Sequence, residues 1–140
     1  MKICIDFDGT CVTHEYPHIG SDIGAAPVLK KIVEAGHDLI LFTMRCDTNK
    51  YQRGNGKELV ESLPGEYLSH AANWFKENNI PLFGINTNPE QKAWTTSPKA
   101  YGHLYIDDAA LGIPLIHDKH KRPFVDWCKV EELLKELKII

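Results

Sequence analysis

Apolar positions in this chain follow two alternating rhythms. Short continuous apolar runs, the mark of parallel strands buried on both faces, alternate with longer stretches in which apolar residues recur at helical spacing. Lys2 to Phe7, with Ile3-Cys4-Ile5, is predicted as the first strand. Ile23 to Ala35 places Val28, Leu29, Ile32 and Val33 on one helical face; Ser21 or Asp22 is the expected N-cap and Gly36 the residue just past the end. His37 to Thr43 holds Leu39-Ile40-Leu41-Phe42 and reads as a second strand. Met44 to Pro64 is the least regular stretch, with Arg53-Gly54-Asn55-Gly56-Lys57 followed by a short amphipathic piece, Glu58 to Leu63. A second helix is predicted from about Gly65 to Asn79, its apolar face made by Tyr67, Leu68, Ala71, Trp74 and Phe75. Leu82 to Ile85 is a third strand, Thr87 to Pro98 a polar loop containing Trp94, and His103 to Ile106 a fourth strand. Ile113 to Ile116 is offered as a fifth, and a helix from about Asp126 to Leu137 closes the chain.

Strand and helix in alternation predict an α/β fold: a three-layer α/β/α domain with a central parallel sheet and helices on both faces. With 140 residues, one domain over 1–140 is the expectation. Open sheets of this kind bind ligands outside the C-terminal ends of their strands. Those ends carry Asp6-Phe7-Asp8, Thr43-Met44-Arg45 and Asp107-Asp108, and the loop after the third strand brings Asn86, Asn88 and Lys92 to the same side.

Charge and cysteine usage narrow the partners. A formal net charge of -3 gives no electrostatic footprint for long nucleic acid or a membrane surface. No apolar run approaches the roughly 18–20 residues that span a bilayer. The chain enters its first strand directly after Met1, with no leader-like segment before it. Its four cysteines are scattered without a Cys-x-x-Cys pair, which suggests a reducing compartment and a cytoplasmic location.

Asp6 and Asp8 end the first strand one residue apart, and side chains two positions apart in a strand point the same way. Two carboxylates so placed repel unless a shared proton or a cation relieves them. A hard dication such as Mg²⁺ suits oxygen ligands of this type. Gly9 permits a sharp turn and is expected to present backbone N–H groups to an anion.

Ile-Asp-Phe-Asp-Gly-Thr, then Leu-Ile-Leu-Phe-Thr-Met-Arg, then Leu-Tyr-Ile-Asp-Asp, in this order, resembles the haloacid dehalogenase-like (HAD) superfamily of phosphatases. The resemblance implies a HAD-like hydrolase domain in which Asp6 is the nucleophile, forming an aspartyl-phosphate, and Asp8 the general acid/base. It implies that Thr43 donates to a phosphoryl oxygen and that Arg45 contacts the phosphate or leaving group. Phe7, Gly9, Thr10 and Met44 complete the implied phosphate surroundings. Mg²⁺ would be held by the Asp6 carboxylate, the Asp8 backbone carbonyl and Asp108, with Asp107 acting through water or orienting a neighbour. A lysine should balance the carboxylates. Lys99 is preferred, but an extended chain over 100–106 would leave it roughly 20 Å from the acids, so Lys92 stays open.

Many HAD proteins insert a cap domain, for which the connections here leave no room, so a capless form is expected with 46–64 as a small lid. The implied partner is a small phosphorylated substrate. A receiver domain also joins acids, Thr, Lys and Mg²⁺ on a parallel sheet, but it places its acceptor after the third strand, where this chain has Asn86. A non-catalytic relative that binds metal and phosphate is the other alternative. His14-x-x-x-His18 lacks the accompanying cysteines of a strong zinc pattern; His14, Glu15 and Tyr16 are placed to meet a leaving group. Lys119, Lys121 and Arg122 are expected to be solvated.

Overall fold

The computed structural model of the chain describes residues 1–48, 52–53, 59–60 and 65–140. In chain order the elements are β1 (Lys2–Ile5), α1 (Ala25–Glu34), β2 (Asp38–Leu41), β3 (Asp47–Thr48), β4 (Gln52–Arg53), β5 (Leu59–Val60), β6 (Gly65–Glu66), α2 (Tyr67–Glu77), β7 (Gly84–Ile85), β8 (Leu104–Ile106), β9 (Leu115–Ile116), β10 (Phe124–Val125) and α3 (Trp127–Glu136). Four of the strands form a parallel sheet in the order β7-β2-β1-β8. The central strand β1 pairs on both sides, with Ile5 opposite Leu41 of β2 and Ile106 of β8. That double pairing explains why β1 is apolar throughout its length beyond Lys2.

Alternation along the strands sorts their side chains to two faces. Ile3, Ile5, Leu39, Leu41 and Ile106 join Val28, Leu29 and Ile32 of α1, Ala71 and Phe75 of α2, and Trp127, Val130 and Leu134 of α3 in one buried cluster. All three described α-helices therefore cover the same face. Cys4 and Ile40 point the other way, onto Ala100, with Phe42, Phe83 and Tyr105 half-buried around them. That face is covered by the connection over 86–103, which carries the 3₁₀ helix Pro89–Ala93.

Chain direction accounts for the split. The steps β1 to β2 and β2 to β7 move the same way across the sheet, so right-handed crossovers put α1 and α2 on one side. The step from β7 to β8 reverses and passes β2 and β1, which sends it over the opposite face. The third layer is thus present, but as a 3₁₀ turn and loop where helices on both faces were expected. Gln91 organises it: its Nε2 donates to the Ser97 and Lys99 carbonyls (both 3.0 Å) and its Oε1 accepts from Tyr101 N (2.8 Å).

Two further expectations are corrected. The apolar segment 113–116 is not a fifth strand of the sheet. Leu115 and Ile116 pair antiparallel with Val125 and Phe124 in a separate ribbon, and Val125 N donates to Gly9 O (2.9 Å), seating that ribbon on the loop after β1. Neither Ser21 nor Asp22 caps α1; Gly24 holds that position in the left-handed region (φ 84°), and Asp22 Oδ1 accepts from Gly24 N (2.9 Å). Gly36 does follow the helix with φ 86°.

After β2, β3 pairs antiparallel with β6 and β4 with β5. Gly54, Gly56, Lys57, Glu58 and 61–64 lie outside the described residues, and with them most of the stretch expected to form a lid. No helix among the described residues is long and apolar enough to cross a membrane.

Candidate active site

The parallel pairing of β1 and β8 continues one residue past β1, where Asp6 N donates to Ile106 O (3.0 Å). That bond brings the residue after β1 beside the residues after β8. One carboxylate oxygen each from Asp6, Asp107 and Asp108 lies within 4.8 Å of the others, although Asp6 and Asp108 are about a hundred positions apart in the chain. Thr10 ties the two loops: its Oγ1 donates to Asp6 Oδ2 (3.1 Å) and accepts from Asp108 N (2.9 Å). Trp127 Nε1, from α3, donates to Thr10 O (2.7 Å) and fixes that loop from behind. The reach of α3 to this loop is a long-range support that no local motif announces.

The acids open into a cavity of about 490 Å³, lined by Asp6, Asp8, His14, Tyr16, Thr43, Met44, Arg45, Asp107, Asp108, Ala109 and Arg122. Burial pushes the Asp6 carboxyl up to about 7, and the negative charges of Asp107 and Asp108 push the same way against hydrogen bonds from Phe7 N and Thr10. Asp107 Oδ1 accepts from Ala109 N (2.8 Å), and Asp108 Oδ2 lies 2.9 Å from His14 Nε2. His14 packs so closely on Gly9 (φ 83°) that a Cβ there would meet its ring. A larger cavity of about 570 Å³ lies beside α2 and β7, but it is mainly apolar, lined by residues such as Phe75, Ile80, Leu82 and Ile85.

Thr43 reaches the cavity as expected. Its N donates to Asn86 Oδ1 (2.8 Å) and its Oγ1 accepts from Arg45 N (3.2 Å). Among the described residues no acceptor takes the hydroxyl proton, which leaves it to donate into the cavity. Asn86, which sits in the left-handed region (φ 53°), is the residue that aims this loop. Met44 stands at the mouth, 97% exposed.

Arg45, expected to contact the phosphate or leaving group, is committed to other partners in this structure. It is only 2% exposed, and its five N–H groups are all spent. Nε and Nη2 clamp Asp8 Oδ2 (2.6 Å) and Oδ1 (2.7 Å). The remaining three donate to the carbonyls of His18 (2.7 Å), Pro17 (3.2 Å) and Tyr67 (3.4 Å). The Phe7 and Tyr16 rings stack on the guanidinium, with centroids 5.1 and 5.2 Å away. Arg45 therefore orients Asp8 and stitches the 14–18 loop and the start of α2 to it. The acid cluster of Asp6, Asp107 and Asp108 does not include the Asp8 carboxylate, both of whose oxygens face Arg45.

Other expected positions fall outside the cavity. Phe7 is fully buried against Trp74 and Phe75. Gly9 N donates to Val12 O (2.7 Å), and the Thr10 and Cys11 amides both donate to Phe7 O, so this turn does not present its N–H groups to an anion. Neither lysine arrives. Lys99 lies with its Nζ 5.4 Å from the Tyr105 ring centre, in a separate recess with Trp94 and Tyr101. Lys92 is exposed on the 3₁₀ helix, whose neighbour Glu90 pairs with Lys2 (3.4 Å) at the opposite, N-terminal end of β1. Besides Arg45, Arg122 lines the cavity, from the β9–β10 connection; it is exposed, as expected.

Fold and site together define a small α/β protein whose parallel sheet gathers carboxylates and a threonine hydroxyl at its C-terminal edge. No protein-family model and no curated protein matches the chain. Among solved structures, that of the conserved protein coded by a locus from Bacteroides thetaiotaomicron is 31% identical, with a TM-score of 0.70, over 98% of this chain and 91% of that one. This chain belongs to the same family as that Bacteroides thetaiotaomicron protein.

Proposed function

We propose that the protein is a capless HAD-type phosphatase: a Mg²⁺-dependent phosphate monoester hydrolase that forms an aspartyl-phosphate on Asp6. The observation that carries this reading is the meeting of Asp6, Asp107 and Asp108 within 4.8 Å at adjacent strand ends, in one cavity with Thr43. The donor set fits a hard dication: three carboxylates, no thiolate or imidazole among them, and a nucleophile that burial and its neighbours hold up at about 7 for want of a positive charge. Bound there, Mg²⁺ would supply charge neutralisation between Asp6 and the phosphoryl group.

The chain's own residues do the rest. Asp6 attacks phosphorus, the P–O bond to the alcohol breaks, and hydrolysis of the acyl phosphate then restores the carboxylate. Thr43 donates its hydroxyl to a phosphoryl oxygen. Asp8 is assigned the proton transfer to the leaving oxygen, and it must part from Arg45 to make it. Small phosphate esters, nucleotide or sugar phosphates among them, are the substrate class. We place the protein in the cytoplasm because Cys4, Cys11, Cys46 and Cys128 are all free.

The test is hydrolysis of an aryl phosphate by purified protein with Mg²⁺. Turnover abolished by Asp6→Asn and by EDTA supports the reading; full activity in excess EDTA sinks it. A second reading draws on the Arg45 clamp on Asp8 and on the lack of any lysine in the cavity lining among the described residues: a non-catalytic relative that binds metal and phosphate. Metal binding with no turnover across a broad panel of phosphate esters would favour it.

A further inference from the structure

We infer that Arg122 makes this site selective for phosphate esters whose alcohol portion carries a second anionic group, a carboxylate or another phosphate. The inference rests on the phosphatase reading and adds to it the substrate class.

Four carboxylates and two arginines line the acid cavity. Arg45 is consumed by Asp8 and three carbonyls. Arg122 is exposed, and no hydrogen bond or ion pair engages it among the described residues. An arginine that lines a cavity holding four carboxylates yet pairs with none has its fork available to a ligand. Arg122 enters the cavity from the β9–β10 connection, whereas the acid cluster stands at the ends of β1 and β8. Arg122 is therefore assigned to the alcohol portion of the substrate rather than the phosphoryl end.

The surroundings agree. The connection that carries Arg122, residues 117–123, also holds Lys119 and Lys121 against the single acid Asp118, a local positive excess in a chain of net charge -3. Seating of this ribbon on Gly9 through Val125 N holds it over the loop that follows β1. Tyr16 and the almost fully exposed Met44 give the same cavity an apolar part of its rim. A guanidinium grips a carboxylate or phosphate through two parallel N–H bonds, which an ammonium cannot do. An aryl ring bearing a carboxylate matches this combination.

The test compares Mg²⁺-loaded wild type, Arg122→Ala and Arg122→Lys. Their affinities for phenylphosphonate and 4-carboxyphenylphosphonate are measured by calorimetry, and hydrolysis of phenyl phosphate and 4-carboxyphenyl phosphate is measured alongside. Wild type should prefer the carboxylated member of each pair by about fivefold, the range of an exposed ion pair. Arg122→Ala should erase that preference, and Arg122→Lys should keep only part of it. Thermal melts of the variants should match wild type, because Arg122 is exposed and makes no hydrogen bond or ion pair among the described residues. Equal binding of both phosphonates by wild type, or equal loss of both in Arg122→Ala, overturns the inference and leaves the phosphatase reading standing. Failure of both phosphonates to bind, with no hydrolysis of either phosphate ester, overturns both.

Discussion

Replacing Asp6 by Asn should make the metal-free protein more stable, by an amount that depends on pH. The Asp6 carboxyl stands at about 7 against an ordinary 3.8, chiefly through burial and then through Asp107 and Asp108. Between those two values the folded state keeps a proton that the unfolded state has released, so stability falls as pH rises through that window. At 1.36 kcal/mol per pH unit, the whole displacement is worth about 4 kcal/mol. The carboxyl is only partly buried, and solvent screening reduces the figure to about 2–4 kcal/mol. Asn keeps the acceptor that Thr10 needs, carries no charge, and offers an N–H₂ to the neighbouring acids. Urea denaturation of wild type and Asp6→Asn in EDTA should show a gain of about 2–4 kcal/mol at pH 8, shrinking to about 1 at pH 4.5. Saturating Mg²⁺ should reverse the order, since wild type then binds the cation more tightly. A variant no more stable than wild type at pH 8, or a gain that ignores pH, would refute the claim that Asp6 holds an unrelieved charge.

The remaining predictions concern the supports of the site. Arg45→Met should cost about 3–5 kcal/mol in urea denaturation, because it strands Asp8 and three carbonyls. Mg²⁺ binding at pH 6 should release close to one proton, and almost none at pH 8.5, in calorimetry across buffers of different ionisation heat; equal release at both would count against Asp6 as a ligand. Trp127→Phe should cost about 1–2 kcal/mol through the orphaned Thr10 carbonyl, seen as a lowered midpoint in the same denaturation assay. Of the four thiols, exposed Cys46 and Cys128 should react with Ellman's reagent at pH 8 in the native protein, while Cys4, pushed up to about 11 by burial, and the fully buried Cys11, pushed up by the same cause, should react only after denaturation.

Which parts of this were legible in the chain follows from what each signal encodes. A strand buried on both faces needs an apolar run and must end where polar side chains begin, so Asp6, Thr43 and Asp107-Asp108 could be put at one edge from pattern alone. Handedness then forced them onto the same side. What the pattern does not encode is who competes for a donor. Arg45 sits two residues past Thr43, as a phosphate ligand might, yet the carbonyls of Pro17, His18 and Tyr67 come from segments whose approach no spacing reveals. A glycine after paired acids suggests free amides, but Val12 O takes the Gly9 N–H. The segment 113–116 has the apolar character of a strand but pairs with Val125 and Phe124, and only that pairing carries Arg122 back to the cavity. Lys99 stays in a separate recess because Gln91 anchors its carbonyl within the layer behind the sheet.

The partners of the four carboxylates also say where a cation belongs. Asp8 is matched by Arg45 at 2.6 Å, and Asp108 has His14 at 2.9 Å. Among the described residues, Asp6 has only the neutral donors Thr10 and Phe7 N, and Asp107 has only Ala109 N. Among those residues, the edge between Asp6 and Asp107 is therefore the one that no basic side chain faces. The HAD resemblance makes Asp108 the direct ligand and leaves Asp107 to act through water. Charge balance in this chain argues the reverse: a dication gains most between Asp6 and Asp107, while Asp108 stays with His14 and holds the loop over Gly9. Asp107→Asn should then weaken Mg²⁺ binding more than Asp108→Asn does, and the opposite ranking by calorimetry would return Asp108 to first place.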